Sequence, residues 1–202
     1  MHTFEEWKKK LIIVRGGGDI ATGTIYKLHQ SRFPVLVLEI ANPSCIRRTI
    51  SFCEAVFDKE VEVEGVIAKR ADSLREAFAI YEQGQIPVMI DENGSTIETL
   101  HPPVVVDAIL AKKNIGTKII DAPAVIGVGP GFCAGKDVDA VIETQRGHNL
   151  GRVIYEGEAA PNTGIPGRIA GYAKERVIHA PAAGNLHILK QIGEIVQAGD
   201  TI

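Results

Sequence analysis

The chain has 202 residues, 45% of them hydrophobic and 23% charged, which suits one domain with at most a small appendage and argues against long disorder. Its 22 Lys and Arg against 25 Asp and Glu leave a net charge of −3, which argues against a dedicated nucleic-acid binder. Glu5 and Glu6 stand where a secretory leader needs basic residues, and no run of about 18 apolar residues offers a membrane span. Cys45, Cys53 and Cys133 are odd in number and form no Cys-x-x-Cys pair, so reduced thiols in a cytoplasmic protein are expected, with no metal site.

In chain order, Leu11-Ile-Ile-Val14 reads as a buried strand broken by Gly16-Gly17-Gly18. A helix follows from Asp19 to Gln30, with Ile20, Thr24 and Leu28 at helical spacing and Ala21 and Ile25 beside them. Val35–Leu38 is a second strand ending at Glu39, which completes a βαβ unit and predicts parallel pairing. Ser44 is placed to cap a helix carrying Ile46, Ile50, Cys53 and Phe57 on one face. Val61–Glu64 and Val66–Ala68 read as strands meeting at Gly65. Ser73-Leu-Arg-Glu76 is a capping box opening a helix with Leu74, Ala77, Phe78 and Tyr81 inward, stopped at Gly84.

Ile86–Ile90 is a strand closed by Asn93-Gly94, and Pro103 suits the first turn of a helix reaching about Lys113. Ile119-Ile120, Val125–Val128, Val138–Ile142 and Arg152–Tyr155 read as short strands. The first hundred residues hold 7 Gly and 3 Pro of the chain's 21 and 10, so longer elements are expected there and more turns afterwards. The fold expected is α/β, with a Rossmann-like parallel sheet in the N-terminal half and a β-rich second half. Its regions are a Rossmann-like part (1–115), a glycine-rich β part (116–175) and a β segment (176–202).

The strongest local signal is Gly16-Gly17-Gly18-Asp19-Ile20-Ala21, which fits G-x-G-x-x-G/A between a strand and a helix. Glycines permit the tight turn and close approach to a pyrophosphate, and a small third residue lets helix pack on strand. The helix start offers unpaired N–H groups. Glu39, 21 residues past Gly18, sits where an acid accepts from ribose hydroxyls. A plain packing turn and a solvated strand end are the bland alternatives.

Gly129-Pro-Gly-Phe-Cys-Ala-Gly135-Lys136-Asp137 is not a P-loop: Pro130 stands where the first glycine belongs, and Asp137 replaces the Ser or Thr that meets magnesium. This loop can cradle an anion or simply turn. Cys133 within it is reactive only if its thiol is made acidic. Glu143-Thr-Gln-Arg146-Gly-His148-Asn-Leu-Gly151-Arg152 gathers a guanidinium and an imidazole in one loop, which suits anion binding or acid–base work, or a solvated charged face. Asn162 and Thr163, within Pro161–Gly167, either meet a ligand or satisfy their own backbone.

Several blocks together resemble one family: Val14–Gly23, Ile46–Thr49, Val106–Lys112, Gly129–Gly131, Glu143–Gly151 and Pro161–Gly167. They are similar to the YqeB-type selenium-dependent molybdenum hydroxylase system proteins, over roughly residues 11–200. That family takes its name from association with molybdenum hydroxylases. It is considered beside XdhC-type accessory proteins, which bind molybdenum cofactor before its insertion, although those carry their Rossmann segment late in the chain. The C-terminal blocks Val177–Gly184 and Ile192–Asp200 resemble the first half of a biotinyl/lipoyl barrel-sandwich, so an incomplete one is expected there.

The resemblance implies an accessory protein for molybdenum hydroxylase maturation, with the hydroxylase or its cofactor as partner and a homo-oligomer compatible. The ligand implied is molybdenum cofactor in dinucleotide form, held by Gly16, Gly17, Gly18, Asp19, Ala21 and Glu39. Arg146 and His148 would meet its other end. One alternative is an NAD(P)-dependent oxidoreductase using NAD at the same turn. No catalytic set is evident for it, because each tyrosine lacks a lysine four residues on. The other alternative is a non-catalytic scaffold with an empty turn.

Overall fold

A computed structural model describes residues 3–184 and 187–201. The chain divides into two compact units, residues 1–162 and 163–202. The first opens with α1 (Phe4–Lys8), where Thr3 and Glu6 form a reciprocal capping box and Trp7 is buried beside Phe4, Phe78 and Tyr81. This helix was not anticipated. The βαβ unit follows as expected: β1 (Ile12–Arg15), α2 (Asp19–Gln30) and β2 (Val35–Glu39), with β1 and β2 paired in parallel from Ile12↔Val35 onward. The buried face of α2 is Ala21, Thr22 and Ile25, while Ile20 faces outward.

The helix expected from Ser44 does not form. Residues Arg48–Ile50 and Phe52–Glu54 are separate 3-10 turns, followed by a single turn, α3 (Ala55–Asp58). The cause is tertiary. Phe52 N–H donates to the Thr22 hydroxyl and Cys53 N–H to the Gly17 carbonyl, which diverts donors that a continuous helix would use. Ile46 is left exposed as a result.

β3 (Glu60–Val63) and β4 (Val66–Ala71) form an antiparallel hairpin whose turn residues Glu64 and Gly65 both have positive φ. Ser73 caps α4 (Leu74–Glu82), but the Glu76 carboxylate accepts from Asp72 N–H rather than from Ser73. β5 (Ile86–Ile90) leads to α5 (Ser95–Leu100), whose first N–H groups are held by the Asp91 carboxylate.

The segment after Pro103 is β6 (Val104–Asp107), a strand and not the expected helix. Three consecutive valines pair in parallel with β1 on one side and with β7 (Ala124–Val128) on the other, and that two-sided burial outweighs the helical signal of the proline. Ile119 and Ile120 lie in a turn with Ile120 exposed, where the Asp121 carboxylate accepts from Lys118 N–H; they are not a strand. β8 (Cys133–Ala134), β9 (Ala140–Ile142), β10 (Val153–Ile154) and β11 (Gly157–Glu158) complete the unit.

Nine strands make one sheet in the order β10-β9-β7-β6-β1-β2-β5-β4-β3, parallel throughout except at its two edges; β8 and β11 pair separately. Alternate residues feed two cores. Ile13, Leu36, Leu38, Val105 and Val125 face one side, and Val14, Val35, Val37 and Val106 the other. The sheet is not closed into a barrel.

In the second unit, Ile169 and Tyr172 form an isolated bridge, Lys174–Arg176 is a 3-10 turn, and the Arg176 guanidinium donates to the Gly167 carbonyl. The strands expected for Val177–Gly184 and Ile192–Asp200 are not formed among the described residues. Most of their apolar side chains, including Ile178, Ile192 and Ile195, are exposed, so little is buried that would offset the cost of ordering a strand.

Candidate functional site

β6, β1, β2 and β5 end at the same edge of the sheet. The chain leaves β1 towards β2 and returns to the opposite side of β1 as β6, so the strand order reverses there. In open parallel sheets this reversal leaves a crevice in which ligands bind. A cavity of about 340 Å³ occupies it, lined by the glycine turn, the end of β2, residues 43–47, Cys53, and the segments after β5 and β6.

The three glycines differ in what surrounds them. Gly16, at φ +90°, has the Ile109 backbone where a Cβ would come within 2.9 Å. A Cβ on Gly17 would lie 2.9 Å from the Cys53 nitrogen. Over Gly18 there is nothing within 4 Å. Gly18 is the N-cap of α2 and makes no side-chain cap, so the first N–H groups of that helix face the crevice without one. Ala21 is fully buried and lets α2 lie close to the sheet.

Asp19 lines the cavity and pairs with the Arg47 guanidinium. Glu39 accepts Gly17 N–H on one carboxylate oxygen and Ile40 N–H on the other, both at 2.8 Å. Burial pushes its carboxyl above the ordinary range, and these two N–H bonds oppose the shift only in part. In this arrangement Glu39 braces the glycine turn.

Under the turn lies a buried network that the sequence reading passed over. Arg15, 4% exposed, donates to the Thr117 hydroxyl at 2.5 Å, and that hydroxyl donates to Asp107, itself 1% exposed. The Arg15–Asp107 separation is 3.6 Å. The available signal was a charged residue closing each of two apolar strands, Ile12–Arg15 and Val104–Asp107. Arg47, Cys45 and Cys53 were likewise not seen as crevice residues.

Arg146 and His148 are exposed on the loop after β9 and are not among the residues lining the crevice. Glu143, at the base of that loop, is buried. Desolvation would raise its carboxyl, but N–H bonds from Ala160, Gln145 and Thr144 outweigh it and hold the group below its ordinary range. The Gly129–Gly131 loop is packed. A Cβ on Gly129 would come within 2.8 Å of Leu110, and one on Gly131 within 2.6 Å of the Lys113 backbone. Cys133 N–H donates to the Asp137 carboxylate. Asn162 and Thr163 are exposed, and the Thr163 hydroxyl accepts from Ile165 N–H.

Among the described residues no helix is long and apolar enough to cross a membrane, and no three His, Cys, Asp or Glu residues gather as a metal set. The chain is 51% identical over 193 residues, 96% of its length, to a protein of Escherichia coli (strain K12) named "Uncharacterized protein YqeB". It spans 36% of the length of that relative. This similarity is consistent with the YqeB-type resemblance. No family model matches the chain, and no solved structure matches it.

Proposed function

We propose that this chain binds a nucleotide-type ligand in the crevice over Gly18 and serves as an accessory protein for molybdenum hydroxylases. The observation that carries the binding is the uncapped start of α2, with open space above Gly18, at the point where the strand order reverses. The accessory role rests on the YqeB-type resemblance and its likeness to XdhC-type proteins. Molybdenum cofactor in dinucleotide form would be the cargo.

The residues present fit the nucleotide end of such a cargo. The first N–H groups of α2 would donate to a phosphate, with Arg47 beside them. Each carboxylate oxygen has more than one acceptor position, so Glu39 can take a ribose hydroxyl while still holding Gly17 and Ile40. Asp19, Glu39, Asp91 and Glu92 outnumber the cations around the crevice, which favours a ligand of few phosphates over a polyphosphate. Arg146 and His148, outside the crevice, would meet only a ligand that runs along the sheet edge towards β9.

Mass spectrometry of small molecules released from the purified protein, followed by calorimetry with NAD, NADP and isolated molybdenum cofactor, tests this reading. The expected result is pterin-dinucleotide binding that Gly18→Val abolishes while the protein stays folded, since the added Cβ meets open space over the turn. Unchanged affinity in a folded Gly18→Val protein overturns it. Tight NAD binding without pterin favours the oxidoreductase, and binding of none favours the scaffold. NADP bound more tightly than NAD removes Glu39 as the ribose acceptor.

A further inference from the structure

Cys45 and Cys53 both face the crevice, on opposite limbs of the segment that follows β2. The inner limb is fixed: Cys53 is 1% exposed, and its N–H donates to the Gly17 carbonyl at 2.8 Å. The outer limb is drawn onto it by Ser51. The Ser51 hydroxyl is fully buried, donates to the Arg47 carbonyl at 2.7 Å and lies 2.9 Å from the Cys45 sulfur. Cys45 itself is half-buried, so a small reagent can reach it.

We propose that Cys45 and Cys53 form a redox-active thiol pair, a modification site at which a low-molecular-weight disulfide of the glutathione class oxidises the two sulfurs to a bond across the crevice wall. The proposal does not depend on which ligand the crevice takes. The Cys45 thiolate attacks one sulfur of the reagent, its S–S bond breaks, and one thiolate leaves. The Cys53 thiol then passes its proton to solvent and attacks the Cys45 sulfur of the mixed disulfide, releasing the second thiolate. Two protein thiols and one disulfide thus become one protein disulfide and two small thiols, a two-electron exchange.

The order of attack follows from the environments. Burial pushes the Cys53 thiol well up, with the Cys45 thiol and the carboxylates of Glu39 and Glu54 adding to the effect, so Cys53 is a poor first nucleophile. Both residues lie on the wall of one cavity, and Ser51, two residues before Cys53, holds the Cys45 sulfur at 2.9 Å. Once Cys45 carries the reagent, attack by Cys53 is intramolecular and gains from proximity. The bond would tie the outer limb, whose Arg47 meets Asp19 at the start of α2, to the limb that clamps the glycine turn. In a reducing compartment such bonds are transient and redox-sensing.

The purified chain is equilibrated with glutathione buffers of rising oxidation, alkylated, and weighed intact and after digestion. The expected result is loss of two hydrogens with a peptide joining residues 45 and 53, reversal by dithiothreitol, and tryptic cleavage after Arg47 slowed several-fold. Cys133→Ser should behave identically, and Cys45→Ser, at a half-buried position, should form no link. A glutathione adduct that persists on Cys45, a link through Cys133, or no loss of hydrogens in the most oxidising buffer each overturns the proposal.

Discussion

Two glycine-rich loops leave parallel strands at the same edge of the sheet, one after β1 and one after β7. They look alike in sequence and differ in what surrounds them. Gly129 and Gly131 are glycine because neighbouring atoms occupy the place of a side chain, and the next element after them is the short strand β8. Gly16 and Gly17 are glycine for the same reason, but Gly18 has an ordinary φ of −65°, open space and the start of α2 behind it. A glycine with room to spare beside unpaired N–H groups can be read as a ligand position. A glycine pressed on backbone can be read only as packing.

The largest expected effect breaks the floor beneath the first loop. Asp107→Ala leaves the Arg15 charge buried without its partner, which should cost about 3–5 kcal/mol, seen as a lower urea midpoint. A loss no greater than that of a surface substitution would show that the network is not what holds β1 against β6. Gly131→Ala should follow, at about 3 kcal/mol, because it forces a side chain into φ +114° and into the Lys113 backbone. Gly18→Ala sharpens the contrast: its stability should stay within about 1 kcal/mol of the parent. If the two alanines cost the same, the distinction between the loops fails.

Smaller still is Arg146→Ala. The side chain is exposed, so melting should move by no more than about 0.5 kcal/mol equivalent. A clear drop in melting temperature would make Arg146 a structural tie of the second loop region.

The smallest effect is a pair of opposite pH slopes. The Glu39 carboxyl is raised from its ordinary 4.5, so the folded state binds its proton more tightly than the unfolded one. Its contribution is fully present below 4.5 and lost as pH rises through the raised folded value. Glu143 is lowered from 4.5, so its contribution is present above that value and lost as pH falls through the lowered folded value. Denaturation midpoints across the acid range should therefore show Glu39→Gln gaining on the parent as pH rises, and Glu143→Gln gaining as pH falls. Slopes of the same sign would overturn both assignments.

By itself the sequence determined the βαβ unit, with the helix at its observed bounds and the two strands within one residue of theirs, the parallel character of the sheet and the position of the glycine turn. These depend on local apolar runs and turn residues, whose periodicity is written along the chain. Three things were decided only by tertiary structure. Residues 104–107 became a strand because β1 and β7 flank them, and residues 44–54 do not form the expected continuous helix because Gly17 and Thr22 bind the backbone there. Arg146 and His148, neighbours in one loop, were left outside a crevice whose walls come from residues far apart in sequence. Whether a glycine is open, a carboxylate spent or a thiol paired depends on contacts between distant segments, and local spacing carries no record of them.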